Sequence, residues 1–71
     1  MNIVFSNHAQ IRIIERNISI EEIKSCIKSP DKYQQNDQFV IKATKQIENN
    51  KICVVYKKIG NTIIIITSYY I

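Results

Sequence analysis

A chain of 71 residues has room for one domain, spanning 1–71, with a modest core. At 45% hydrophobic, with one Gly and one Pro, it excludes extended disorder and long flexible loops. A formal charge of +4 on so short a chain points to an anionic partner, while two isolated cysteines exclude a disulfide framework.

Residues 2–5 form a short extended lead-in that can join a sheet edge. Ser6 or Asn7 is placed to cap a first helix ending near Arg16, with Asn17 as a left-handed C-terminal residue. On this helix His8, Arg12 and Arg16 stand at i, i+4 and i+8, each step turning about 40°. Ile11, Ile14 and Ile18 fall on another face and are expected in the core. Ser19, with Glu22 three residues on, opens a second helix as a capping box. Ile20, Ile23 and Ile27 recur at helical spacing there, Lys24 and Lys28 face away, and Ser29-Pro30 stops it.

After Pro30 the hydrophobic period changes from 3.6 to 2. Residues 31–35 are a connector or weak strand, and Asn36-Asp37 a turn. From Gln38 to Gln46, Phe39, Ile41 and Ala43 alternate with Val40, Lys42 and Thr44. After a turn at Glu48-Asn49-Asn50, Ile52, Val54 and Tyr56 alternate with Cys53, Val55 and Lys57. Gly60-Asn61 is a hairpin turn. Residues 62–70 form the last strand, apolar on both faces through Ile66, and therefore expected to be central and covered on both sides. The expected class is α+β, a helical hairpin packed on one face of a three- to four-stranded antiparallel sheet.

The two cysteines, Cys26 in a predicted helix and Cys53 in a predicted strand, are expected as small buried residues in a reducing cytoplasm. The N-terminal residues lack the basic and apolar regions of a signal peptide, and Ile63–Ile66 is too short to span a bilayer. One histidine and no acidic cluster leave no metal site, and no cofactor is expected. A single glycine leaves no phosphate-cradling loop, and one histidine without a matching constellation leaves no serine triad.

What remains is cationic and aromatic chemistry at His8, Arg12, Arg16, Lys42, Lys45, Tyr56, Lys57, Lys58, Tyr69 and Tyr70. These residue types bind phosphodiesters and suit metal-free RNA cleavage, in which the 2′-hydroxyl is the nucleophile. Each also has a plain structural reading. A histidine near a helix start is often a capping or surface group, Arg12 and Arg16 can pair with nearby glutamates, and Lys57-Lys58 can be a solvated hairpin end.

The run His8-Ala9-Gln10-Ile11-Arg12-Ile13-Ile14-Glu15-Arg16-Asn17-Ile18 resembles the hallmark H-A-x-x-R-x-x-E-R-x-I of a family of small bacterial and archaeal proteins. That family is described as a domain of unknown function and placed near the RelE/ParE-type toxins. The closing Asn61-Thr62-Ile63-Ile64-Ile65-Ile66-Thr67-Ser68-Tyr69-Tyr70 is similar to its last strand. The resemblance implies a RelE-like fold and a metal-independent RNA endonuclease of toxin–antitoxin type. His8 and Arg12 would be its active residues, Arg16 their support, and Thr67 and Tyr69 would match the strand end. Tyr69 joins the catalytic candidates, and Lys42, Lys57 and Thr67 are the substrate-binding candidates. The implied setting is cytoplasmic, with RNA (ribosome-bound mRNA included) and an antitoxin protein as partners, no membrane, and a homodimer as a further option. The alternative is a non-enzymatic basic module that binds nucleic acid or protein.

Overall fold

The computed structural model describes residues 2–71. The elements run β1 (Asn2–Phe5), α1 (Asn7–Arg16), α2 (Ile20–Lys28), β2 (Lys32–Gln35), β3 (Val40–Ile47), β4 (Asn50–Ile59) and β5 (Thr62–Tyr70). The class is α+β. The strands form one five-stranded mixed sheet, ordered β1-β5-β4-β3-β2, in place of the expected three- to four-stranded antiparallel one. The segment after Pro30 is a true strand, β2, pairing antiparallel with β3 from Lys32 opposite Thr44 to Gln35 opposite Ile41. β1 lies parallel to β5, with Asn2 beside Thr62 and Phe5 beside Ile65. Strands of four residues contain too few alternations to declare themselves by period.

The local signals at the helices act as their chemistry requires. The Ser6 hydroxyl accepts from the Ala9 N–H at 3.1 Å, and Asn17 ends α1 with φ 53°. At α2 the Ser19 hydroxyl accepts from the Glu22 N–H at 3.4 Å. The other half of the expected capping box is diverted, because the Glu22 carboxylate accepts the Tyr70 hydroxyl of the last strand. Lys45 closes the far end of α2, donating to the Ser29 carbonyl at 2.7 Å.

Both helices cover one face of the sheet. Ala9, Ile18, Ile23, Cys26 and Ile27 pack onto Ile41, Ala43, Ile52, Val54, Tyr56, Ile63 and Ile65. Burying each aliphatic side chain of this kind contributes about 1.5–3 kcal/mol. Burial pushes the Cys26 thiol up to about 11, with Cys53 adding to the effect, so Cys26 is a packing residue and not a nucleophile. Both cysteines are free and buried.

Two expectations about the core are corrected. Ile11 and Ile14 are 53% and 79% exposed, while Ala9 is fully buried and Ile13 packs against the core. α1 turns Ala9 and Ile13 inward because alanine allows close approach to β5. The outer isoleucines lie on the far side of the helix with no element above them. β5 also lies between β1 and β4 but is covered on one face only. Ile63 and Ile65 are buried under the helices, whereas Ile64 and Ile66 are half-exposed.

The pairing of β4 with β5 slips at one point. Val55 faces Thr67, but the next residue, Tyr56, faces Ile65, so Ile66 has no partner. A bulge of one residue inverts the alternation beyond it. Ile63 and Ile65 point under the helices, and so do Ser68 and Tyr70. Thr67 and Tyr69 point to the opposite, uncovered face. The inversion carries Ser68 into the core, fully buried, with its hydroxyl oxygen unpartnered among the described residues.

Urea denaturation should show Ile65→Val losing about 0.5–1.5 kcal/mol and Ile14→Ser changing stability by no more than about 0.5 kcal/mol. Ser68→Ala should stabilise by about 1 kcal/mol, because it removes a buried hydroxyl that has no partner. A large loss from Ile14→Ser would place α1 in the orientation expected from sequence instead.

Candidate nucleic-acid interface

The uncovered face is a grid set by strand register. Across it run Lys32, Thr44, Cys53 and Tyr69 in one row, and Gln34, Lys42, Val55 and Thr67 in the next. Val40, Lys57 and Ile64 make a third row, continued by Val4 on β1. Gln46 and Lys51 sit beyond the first. Lys32, Lys42, Lys51 and Lys57 thus share one face, and the strands that carry them hold no Asp or Glu. Glu15, Glu21 and Glu22 lie on the helices, and Asp31, Asp37 and Glu48 lie in the connections. Asp31 is itself engaged, accepting from the Gln46 N–H at 2.8 Å.

Of the sequence candidates, the structure gathers Lys42, Thr67 and Tyr69. Thr67 and Tyr69 reach this face only because of the bulge at Ile66. Lys57 is one row away beside Ile64. The Tyr69 hydroxyl is held above the usual phenol range, first by its hydrogen-bonding contact with Cys53 and then by burial; Lys42 pulls the other way. At neutral pH it is therefore a proton donor. Tyr70, pointing the other way, is also raised, chiefly by its hydrogen bond to Glu22, and serves to dock β5 on α2. Tyr56 is raised by burial and belongs to the core, and Lys45 serves the end of α2.

The cationic row of α1 runs beside the same stretch of β5. β1 pairs only as far as Ile65, so the edge of β5 beyond it is free of strand partners. α1 takes that edge over. The Ser6 N–H donates to the Ile65 carbonyl at 3.2 Å, the Ser6 hydroxyl to the Ile66 carbonyl at 3.4 Å, and Arg16 to the Ser68 carbonyl at 2.8 Å. His8 and Arg12 lie between these anchors along the helix. His8 is exposed, two residues beyond the cap. Arg12 is half-exposed and donates to Glu15 at 2.6 Å, an ion pair of the kind worth about 0–1 kcal/mol that opens readily for a better anion. Arg16 commits one N–H to Ser68, which leaves its remaining donors for a ligand.

The α1 row and the Lys42–Thr67–Tyr69 group therefore flank residues 66–69 of β5, one from its edge and one from its face. No hydrogen bond or ion pair among the described residues joins His8 to Tyr69. Sequence reasoning missed Lys32, Lys51, Thr44 and Gln34 on this face. For Lys32 and Gln34 the signal was absent, because β2 is too short to show its period. Thr44 and Lys51 were already in alternating segments, but their common face became visible only with the pairing register.

No group of three or more His, Cys, Asp or Glu that could hold a metal ion occurs among the described residues. None of their helices is long and apolar enough to cross a membrane.

Proton NMR of the Tyr69 ring across an alkaline titration tests this local geometry. Cys53→Ala should move the Tyr69 midpoint down toward that of free tyrosine, and Lys42→Met should move it further up. No movement in either variant would separate Tyr69 from both neighbours.

A family model described as a domain of unknown function, DUF4258, matches residues 5–70. No curated protein and no solved structure matches the chain.

Proposed function

The chain belongs to the DUF4258 family, and from that premise we propose that it is a metal-independent RNA endonuclease with a RelE-like fold, the toxin of a toxin–antitoxin pair. The observation that carries the proposal is the acid-free lysine face meeting the His8–Arg12–Arg16 row along one stretch of β5. In this reading the RNA backbone lies on the open face, held by Lys42, Lys57 and Thr67. His8 takes the proton of a 2′-hydroxyl, and that oxygen attacks the adjacent phosphorus. Arg12 and Arg16 stabilise the phosphorane charge, as preorganised cations do. Tyr69 is kept protonated and donates to the departing 5′-oxygen. The products are a 2′,3′-cyclic phosphate and a 5′-hydroxyl, so water enters no step and no metal is needed. A basic toxin of this kind would act in the cytoplasm under the control of an acidic antitoxin protein.

A second reading is favoured by the lack of any bond between His8 and Tyr69. On that reading the lysine face binds RNA and no cleavage follows.

One assay separates the two. Purified protein is incubated with RNA in excess EDTA, and the products are examined for cyclic phosphate ends. Wild type should cleave, and His8→Ala and Arg12→Ala should each lose about 10²–10⁴-fold in rate. Equal background cleavage by all three, with RNA binding retained, would establish the second reading and remove the first.

A further inference from the structure

The two outer edges of the sheet are built differently. β2 carries Lys32 and follows Pro30, and lysine and proline discourage another strand from adding to an edge. β1 carries neither a charge nor a proline. It pairs with β5 alone, so its outer edge has no strand partner among the described residues. The N–H groups of Asn2 and Ser6 donate to the Asn61 and Ile65 carbonyls at 2.9 and 3.2 Å. Strand alternation therefore turns the N–H and C=O groups of Ile3 and Phe5 outward. The Gln10 side chain donates to the Phe5 carbonyl at 3.0 Å, which leaves that oxygen a second lone pair. Beside this edge runs a groove of about 540 Å³ between β1 and the helices. None of the residues lining it is charged, from Ile3, Val4 and Phe5 on the strand to Ile13, Ile14 and Ile20 on the helices. Val4, Ile14 and Ile20 are exposed there.

We propose that this edge docks a second copy of the chain, with β1 antiparallel to β1 of that copy across a twofold axis beside Val4. Three observations select this occupant. The open backbone groups belong to a strand edge, so another strand satisfies them. The chain carries +4, and a groove without charge is where two such copies meet with least repulsion; an acidic partner would be drawn to the lysine face instead. The outward residues are also placed symmetrically about Val4. In a twofold pair Ile3 stands opposite Phe5 of the second copy, and the two exchange N–H···O bonds. Ile3 and Phe5 are half-buried against the core, and that pairing completes their burial. Val4 meets Val4 of the second copy on the open face. An antiparallel pair within one sheet keeps both helical layers on the same side. The two sheets become one, and their lysine faces lie side by side. Neither the pairing nor its test depends on the RNA reading.

The test is sedimentation equilibrium of the whole chain from about 1 μM to about 1 mM, where wild type should pass from monomer to dimer. Val4→Lys sets two like charges across the twofold axis and should weaken the dimer at least about tenfold. Ile14→Lys, in the groove, should weaken it as well. Gln34→Lys adds the same charge on β2 and should leave the dissociation constant unchanged. Amide hydrogen exchange followed by NMR reads the seam without any substitution. The Ile3 and Phe5 amides should be protected at high concentration and lose that protection on dilution. A wild type that stays monomeric throughout would overturn the proposal and leave the edge to a different protein. A dimer unaffected by Val4→Lys and Ile14→Lys, or one whose Ile3 and Phe5 amides exchange freely, would overturn it too.

Discussion

The one-residue bulge at Ile66 is the constraint on which the arrangement of the site depends. Before it, β5 packs Ile63 and Ile65 beneath the helices. After it, the same strand packs Ser68 and Tyr70 there and turns Thr67 and Tyr69 to the open face. A continuous register would bury Thr67 and Tyr69 and would set Ser68 among the lysines. The bulge has a cost, visible in the unpartnered hydroxyl of Ser68. Two residues hold its edge. Ser6 bonds the Ile65 and Ile66 carbonyls while capping α1, and Arg16 bonds the Ser68 carbonyl from the other end of that helix. The cap of α1, its last-turn arginine and the bulge thus form one unit, and that unit brings the cationic helix row to the strand that presents Tyr69.

Much of this was legible in the chain. The caps at Ser6 and Ser19, the left-handed Asn17, the stop at Pro30 and the turn at Gly60-Asn61 are local chemistry, and local chemistry is written in neighbouring residues. The alternation of β3 and β4 was legible for the same reason. Three features were not. Residues 2–5 and 31–35 were legible as an edge lead-in and a connector or weak strand, but their pairing, β1 parallel to β5 and β2 antiparallel to β3, was not, because four residues are too few to fix a register. The side of α1 that faces inward depends on the small Ala9 meeting β5, and an isoleucine count points the wrong way. The bulge is a property of the pairing of two strands, and the run Ile63–Ile66 looks the same with or without it.

The division of charge between the two layers follows from the same topology. Glu21 and Glu22 lie in the first turn of α2, where they complement the helix dipole, Glu15 pairs with Arg12 near the end of α1, and Asp31, Asp37 and Glu48 lie in connections. Strand alternation brings Lys32, Lys42, Lys51 and Lys57 out on the face opposite the helices, whereas Lys45 and Lys58 fall on the helical side. Alternation alone therefore makes an acid-free basic surface, and the bulge adds a phenol and a hydroxyl to it.

The central claim is the proposal that the open face, together with the His8–Arg12 edge of α1, engages RNA. Backbone amide NMR of the uniformly labelled protein, titrated with a short single-stranded RNA, tests it most directly. The account predicts shifts concentrated at Lys32, Lys42, Lys51, Thr67 and Tyr69 and along the β5 side of α1 at His8 and Arg12. Shifts confined to the outer face of α2, around Lys24 and Lys28, would contradict it.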